Sequence, residues 1–170
     1  MDDRDALHYG FGEIRHLVAG AVDGLSPQQL VWRPDPRSNS IAWLVWHLTR
    51  VQDDHVSEIA DRPQTWDDGW PERFGLPAGA RDTGYGHTPD QVAAVRPSGP
   101  DVLTAYHDAV CEQTRAWLES ATPEDFDRII DERWDPPVTV GVRLFSVTSD
   151  CLQHVGQAAY LRGLVQRAGI

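Results

Sequence analysis

A chain of 170 residues with 41% hydrophobic and 24% charged residues suits one globular domain with a sizeable core. The formal net charge of −11 argues against a nucleic-acid partner, because binding to a phosphate backbone rests on clustered Lys and Arg. All 15 basic residues are Arg, which excludes Schiff-base lysine chemistry and a Lys-dependent phosphate loop. No apolar run approaches the roughly 20 residues of a membrane helix. The acidic start "MDDRDALHYG" has no apolar signal region. A cytoplasmic protein without a membrane partner is expected. Cys111 and Cys151 lie far apart with no CxxC motif, which reads as two buried thiols rather than a disulfide.

In chain order, Leu7, Phe11, Ile14, Val18, Ala21 and Leu25 recur at helical spacing and predict a first long amphipathic helix. "SPQQL" at 26–30 opens with a cap residue and a proline and gives one turn. A second long helix is expected from Asn39 or Ser40 to the breaker Asp61–Pro63, buried along Ile41, Leu44, Leu48, Val51 and Ile59. Residues 62–98, rich in Pro, Gly, Trp and Asp, form a crossing too long for a plain connector, with a capped turn at "TPDQV". Trp66 and Trp70, with Trp134 further on, are expected to line a cleft, and Trp43, Trp46 and Trp117 to be core. A third helix from about Ser98 to Ser120 is expected to bury Val102, Tyr106, Ala109, Gln113 and Trp117. After a turn at "TPEDF" and an irregular crossing at 131–140, a fourth helix spans about Val140 to Ala168, with Gly169 as its stop signal. No run alternates convincingly as a strand. Four amphipathic helices with unequal connections predict an all-α four-helix bundle, and the long second crossing argues against a simple up-down-up-down series.

The fourth helix raises a chemical question. Its seam reads Val140, Leu144, Val147, Cys151, His154, Ala158, Leu161, Val165, with Asp150 one turn before His154. A carboxylate at the edge of a core must be paired or must hold a cation. His47, in "WLVWHL", faces inward on the second helix, so two facing helices of a bundle can bring His47, Asp150 and His154 together. Two imidazoles and a carboxylate suit a divalent metal with open positions. The competing reading is that both histidines are simply packed and hydrogen-bonded. Asp54 lies close to the face of His47 and His55 about 80° around the helix, so Asp54 is the better further ligand or support. Gln157 is placed to bond a ligand or orient its neighbours, and Gly156 reads as a site of close helix packing. His8, His16, His87 and His107 have no evident partner and are expected to be mostly solvated.

"SIAWLVWHLTRVQDDHV" at 40–56 and "DCLQHVGQAAYLRG" at 150–163 together resemble the DinB-like superfamily of bacterial metal-binding four-helix bundles. The resemblance spans essentially the whole chain. It points to the DinB-type branch of mycothiol-producing bacteria, related to mycothiol-dependent maleylpyruvate isomerase. The resemblance implies His47 and His154 as metal ligands. It also implies Asp150 at a position that holds His in many members and Glu in the isomerase branch. It implies a small pocket, zinc or nickel and often a homodimer, and no particular substrate; the leading expectation built on it is S-transfer to, or isomerisation of, a small electrophilic substrate with mycothiol as thiol co-substrate. On this reading the crossing covers the site, Arg81 and Tyr85 contact the substrates, and Arg143 meets an anionic group or forms a surface salt bridge. Two other functions stay open: a metal-dependent hydrolase of a small amide or ester with Asp54 or His55 as base, and a non-catalytic metal-binding or stress-associated dimer.

Overall fold

The structure, a computed structural model, describes residues 2–77 and 79–170. Four long helices carry the fold: α1 (Asp3–Val22), α3 (Ile41–Ile59), α6 (Pro100–Ser120) and α8 (Val140–Ala168). The short helices α2 (Pro27–Leu30), α4 (Trp70–Arg73), α5 (Pro89–Ala94) and α7 (Pro123–Asp127) lie in the connections, with a 3-10 turn at Thr65–Asp67. Local chemistry sets the ends. The hydroxyls of Ser40 and Thr139 accept from the backbone N–H of Trp43 and Val142, capping α3 and α8. Gly169 ends α8 in the left-handed conformation that glycine adopts without strain. Ser26 and Thr88 form reciprocal capping boxes with Gln29 and Gln91 at the starts of α2 and α5. A two-stranded antiparallel hairpin, β1 (Ile129–Asp131) with β2 (Val138–Thr139), leads into α8. These strands show no alternation to find them by, because they are only three and two residues long.

Around the bundle α3 packs on α8, α8 on α1, α1 on α6 and α6 on α3, so the consecutive helices α1 and α3 sit diagonally. Residues 23–40 make that diagonal step, whereas the long crossing at 62–98 joins the neighbouring helices α3 and α6. The long crossing also closes over α3: Trp66, Trp70 and Phe74 pack around Tyr106, so Trp66 and Trp70 are core rather than cleft, and only Trp134 stays in solvent. Every residue from Ser40 to Arg50 is consequently buried. The face of α6 also differs from the expectation. It buries Leu103, Tyr106, His107, Val110, Cys111, Thr114 and Leu118, with Gln113 exposed and Val102, Ala109 and Trp117 half-buried. Polar residues set the true face because each is satisfied inside. Among the described residues no helix is long and apolar enough to cross a membrane.

His107 shows how. The Thr49 hydroxyl donates to the Val45 carbonyl at 2.7 Å and accepts from His107 Nδ1 at 3.1 Å, and Cys111 Sγ donates to His107 Nε2 at 3.4 Å. The imidazole is therefore neutral, and burial pushes its pKa down to about 4. An unfolded chain binds that proton near pH 6.5. Stability attributable to His107 is thus lost as pH falls from about 6.5 to about 4, by about 3 kcal/mol in all. Urea unfolding across this range should show a shallower acid slope for His107→Gln than for the parent chain. The same burial pushes the Cys111 thiol up to about 12 and Cys151 well above its usual value, and both cysteines are free. Neither offers a reactive thiolate.

Candidate metal centre

The junction of α3 and α8 gathers His47, Asp150 and His154, whose ligand atoms lie within 4.8 Å of one another. Helix geometry explains the grouping. With 100° per residue, Asp150 and His154 share one flank of the α8 stripe, and Val155 takes the buried place the seam assigned to His154. The His154 and Asp150 side chains are 19% and 37% exposed, while His47 is buried on the wrapped helix, so the cluster is closed on the α3 side and open on the α8 side.

Each imidazole has one nitrogen committed. His47 Nδ1–H donates to the Thr83 carbonyl, which leaves Nε2 with its lone pair. His154 Nδ1 bonds Gln157 Oε1 at 3.1 Å, and its Nε2 lies 3.5 Å from Asp150 Oδ1. The other carboxylate oxygen, Asp150 Oδ2, is buried with no hydrogen-bond partner among the described residues. A buried anionic oxygen left unpaired is costly unless a cation occupies the space before it. Two imidazoles of fixed tautomer plus that orphaned oxygen fit a divalent metal.

The charges agree. Burial lowers the pKa of His47 against the Thr83 carbonyl, keeping it neutral. The Asp150 hydrogen bond raises that of His154 against its partial burial. Burial alone would raise Asp150, but the fields of His154, His47 and His55 hold it below the usual carboxylate value. Gln157 thus orients His154, one of the two roles its position allowed. Gln157→Ala should weaken zinc binding about 10-fold or more, read by chelator competition, with little change in melting temperature of the metal-free protein.

The other expected residues lie elsewhere. Asp54 accepts from Gln64 Nε2 at 2.6 Å rather than supporting His47. His55 Nδ1 accepts from Arg143 at 3.0 Å, and Arg143 also reaches Asp131 at 3.5 Å, so Arg143 is a half-buried structural cation. Arg81 pairs with Asp67 at 2.6 Å, and Tyr85 is 94% exposed, so neither points to the cluster. A Cβ on Gly156 would meet nothing within 4 Å, which overturns close packing there. Gly156 instead helps line a cleft of about 800 Å³ with Arg37, Leu44, Gln153, Gln157 and Tyr160. The cleft thereby shares Gln157 with the cluster. Sequence reasoning missed Thr83, His87 and Arg50. Thr83 acts through a carbonyl, which no side chain announces. His87 is half-buried, stacked on Trp46 and tilted against Trp43. Arg50 had a signal, its i,i+3 spacing to Asp53.

An all-α bundle that aims two imidazoles and a carboxylate at one point from facing helices defines a DinB-like protein. Comparison with known proteins then fixes the branch. The family model described as mycothiol-S-transferase matches residues 6–167, and the chain belongs to that family. Among solved structures, the chain is similar to "Crystal structure of the conserved protein of locus from Enterococcus faecalis". That match has 29% identity and a TM-score of 0.87, covering 97% of this chain and 98% of that one. No curated protein gives a significant match.

Proposed function

We propose that this chain is a divalent-metal-dependent enzyme that uses a low-molecular-weight thiol of the mycothiol type in S-transfer to, or isomerisation of, a small electrophilic substrate. The observation that carries the reading is the His47–Asp150–His154 cluster with its orphaned carboxylate oxygen and open α8 side. His47 and His154 would hold zinc or nickel through Nε2, and Asp150 through Oδ2. A cation there supplies the positive field that favours a thiolate over a thiol. The chain's own residues do the rest. Thr83 and Gln157 fix the imidazoles, Asp150 offsets the cation's charge, and the cleft beside Gln157 offers room for a small molecule. The nucleophilic sulfur has to come from a co-substrate, since Cys111 and Cys151 are buried and protonated. In S-transfer the thiol proton passes to solvent, sulfur bonds the electrophilic carbon, and the leaving group departs with its electron pair.

Hydrolysis at the same centre needs a free base beside it. Asp54 is engaged by Gln64 and His55 by Arg143, so no observation favours that reading. A homodimer belongs to the proposal and is supported by the exposed apolar side chains Val142, Phe145, Leu152 and Tyr160 on α8. Sedimentation velocity decides it. The central test is elemental analysis of untagged protein, followed by cobalt substitution. Mycothiol should shift the visible cobalt spectrum, and the loaded enzyme should consume a small alkylating electrophile only with thiol present. A cobalt spectrum indifferent to every thiol would sink the proposal.

A further inference from the structure

Arg50 is fully buried, yet its partners lie mostly on the crossing. The guanidinium sits over the Trp66 ring at 4.8 Å. It donates to Gln64 Oε1 at 2.8 Å, to the carbonyls of Arg81 and Asp82 at 3.1 and 3.4 Å, to Tyr106 Oη at 3.1 Å and to Asp53 Oδ2 at 3.4 Å. A rigid planar fork with five donors can tie two consecutive carbonyls to one helix, which a single ammonium point charge does less well. The next carbonyl in the chain, that of Thr83, accepts from His47 Nδ1.

The strap has a second and a third anchor. Gly84 has φ +91°, and a Cβ there would lie 2.7 Å from the Trp46 ring and 3.1 Å from both His47 Nδ1 and the Trp43 ring. Only glycine lets the backbone seat so closely. The Asp82 carboxylate accepts from Gly84 N–H at 3.1 Å and from His87 Nε2 at 2.5 Å, and His87 Nδ1 accepts from the Trp43 indole at 3.1 Å. Each proton in this chain has one place to go, so the strap is held in one register.

We infer that Arg50 is a positioning residue: by tying the strap Arg81–Gly84 to α3, it holds the Thr83 carbonyl on His47 Nδ1 and commits His47 to the tautomer that keeps Nε2 free as a ligand. The consequence for metal affinity rests on the proposed metal centre; the tautomer does not. The test uses side-chain ¹⁵N NMR on the full metal-free chain, with the His47 signals assigned by their loss in His47→Gln. The parent protein should show Nδ1–H for His47. Gly84→Ala and Arg50→Lys should average the tautomers and lower zinc affinity about 10- to 100-fold by chelator competition. Gly86→Ala, equally left-handed at φ +74° but with nothing within 4 Å of its Cβ, should stay within about threefold of the parent. Nε2–H in the parent protein, or Gly84→Ala and Arg50→Lys leaving the tautomer and the affinity unchanged, overturns the inference. If Arg50→Lys fails to fold, Gly84→Ala and the parent spectrum still decide it. A parent protein that takes up no zinc sinks the metal proposal alone, because the tautomer is read without metal.

Discussion

His47→Ala and Asp150→Ala will each lose the metal, with zinc affinity falling more than about 100-fold, since weakening the support of one ligand already costs about 10- to 100-fold. Either change removes one of the three donors that converge within 4.8 Å among the described residues. The two variants should differ in the metal-free state. Removing Asp150 also removes a buried oxygen without a partner and the carboxylate beside His154, so the metal-free Asp150→Ala protein should melt no lower than the parent. Removing His47 opens a hole beside Trp43, which stacks on it at 4.6 Å, and lowers the melting temperature. Zinc at 100 times its dissociation constant should stabilise the parent by about 2.7 kcal/mol and neither variant measurably. Calorimetric melts with and without zinc, beside elemental analysis, read all of this. Retention of stoichiometric metal in Asp150→Ala would remove the carboxylate from the site.

The largest loss of stability is expected at Asp53→Ala, outside the three-residue cluster. The carboxylate is buried and accepts from the backbone N–H of Thr65 and Trp66 at 2.9 and 2.8 Å, from Tyr106 Oη at 2.8 Å and from Ser57 Oγ at 3.2 Å, besides pairing with Arg50. Truncation strands the Arg50 charge in the core and leaves two backbone donors unpaired. Breaking a buried pair in this way costs about 3–5 kcal/mol. In a chain of 170 residues that corresponds to a melting temperature lower by about 10 °C. Asp53→Asn keeps an acceptor for part of this set and should lose less. Proteolysis should appear first in the crossing at 62–98, because Asp53 holds its Thr65–Asp67 turn. A loss below about 1 kcal/mol in urea unfolding would mean that the network contributes little.

Much of this was legible in the residues. Apolar spacing located α1, α3 and α8, and capping chemistry placed the start of α3 at Asn39 or Ser40 and the end of α8 at Gly169, because both are local properties of the chain. His47, Asp150 and His154 were legible as well: a carboxylate one turn from an imidazole on an amphipathic helix has no place in an apolar core unless something pairs with it. The sequence failed where polar groups are satisfied from another element. His107 read as solvated, yet Thr49 of α3 pairs with it inside the bundle, as Gln52 of α3 pairs with Thr114 of α6. His87 and Arg50 acquire their roles only when the crossing folds back over α3.

By itself, then, the sequence determined the four helices, their caps and the identity of the three clustered side chains, all set by interactions within about one helical turn. Tertiary structure alone decided the diagonal placement of α1 and α3, the register that makes Val155 rather than His154 a core residue, and the nitrogen left free on His47. Those outcomes depend on backbone carbonyls and packing partners tens of residues away, such as Thr83 for His47. A carbonyl is the same chemical group at every position, so only the folded path of the chain can say which one meets an imidazole.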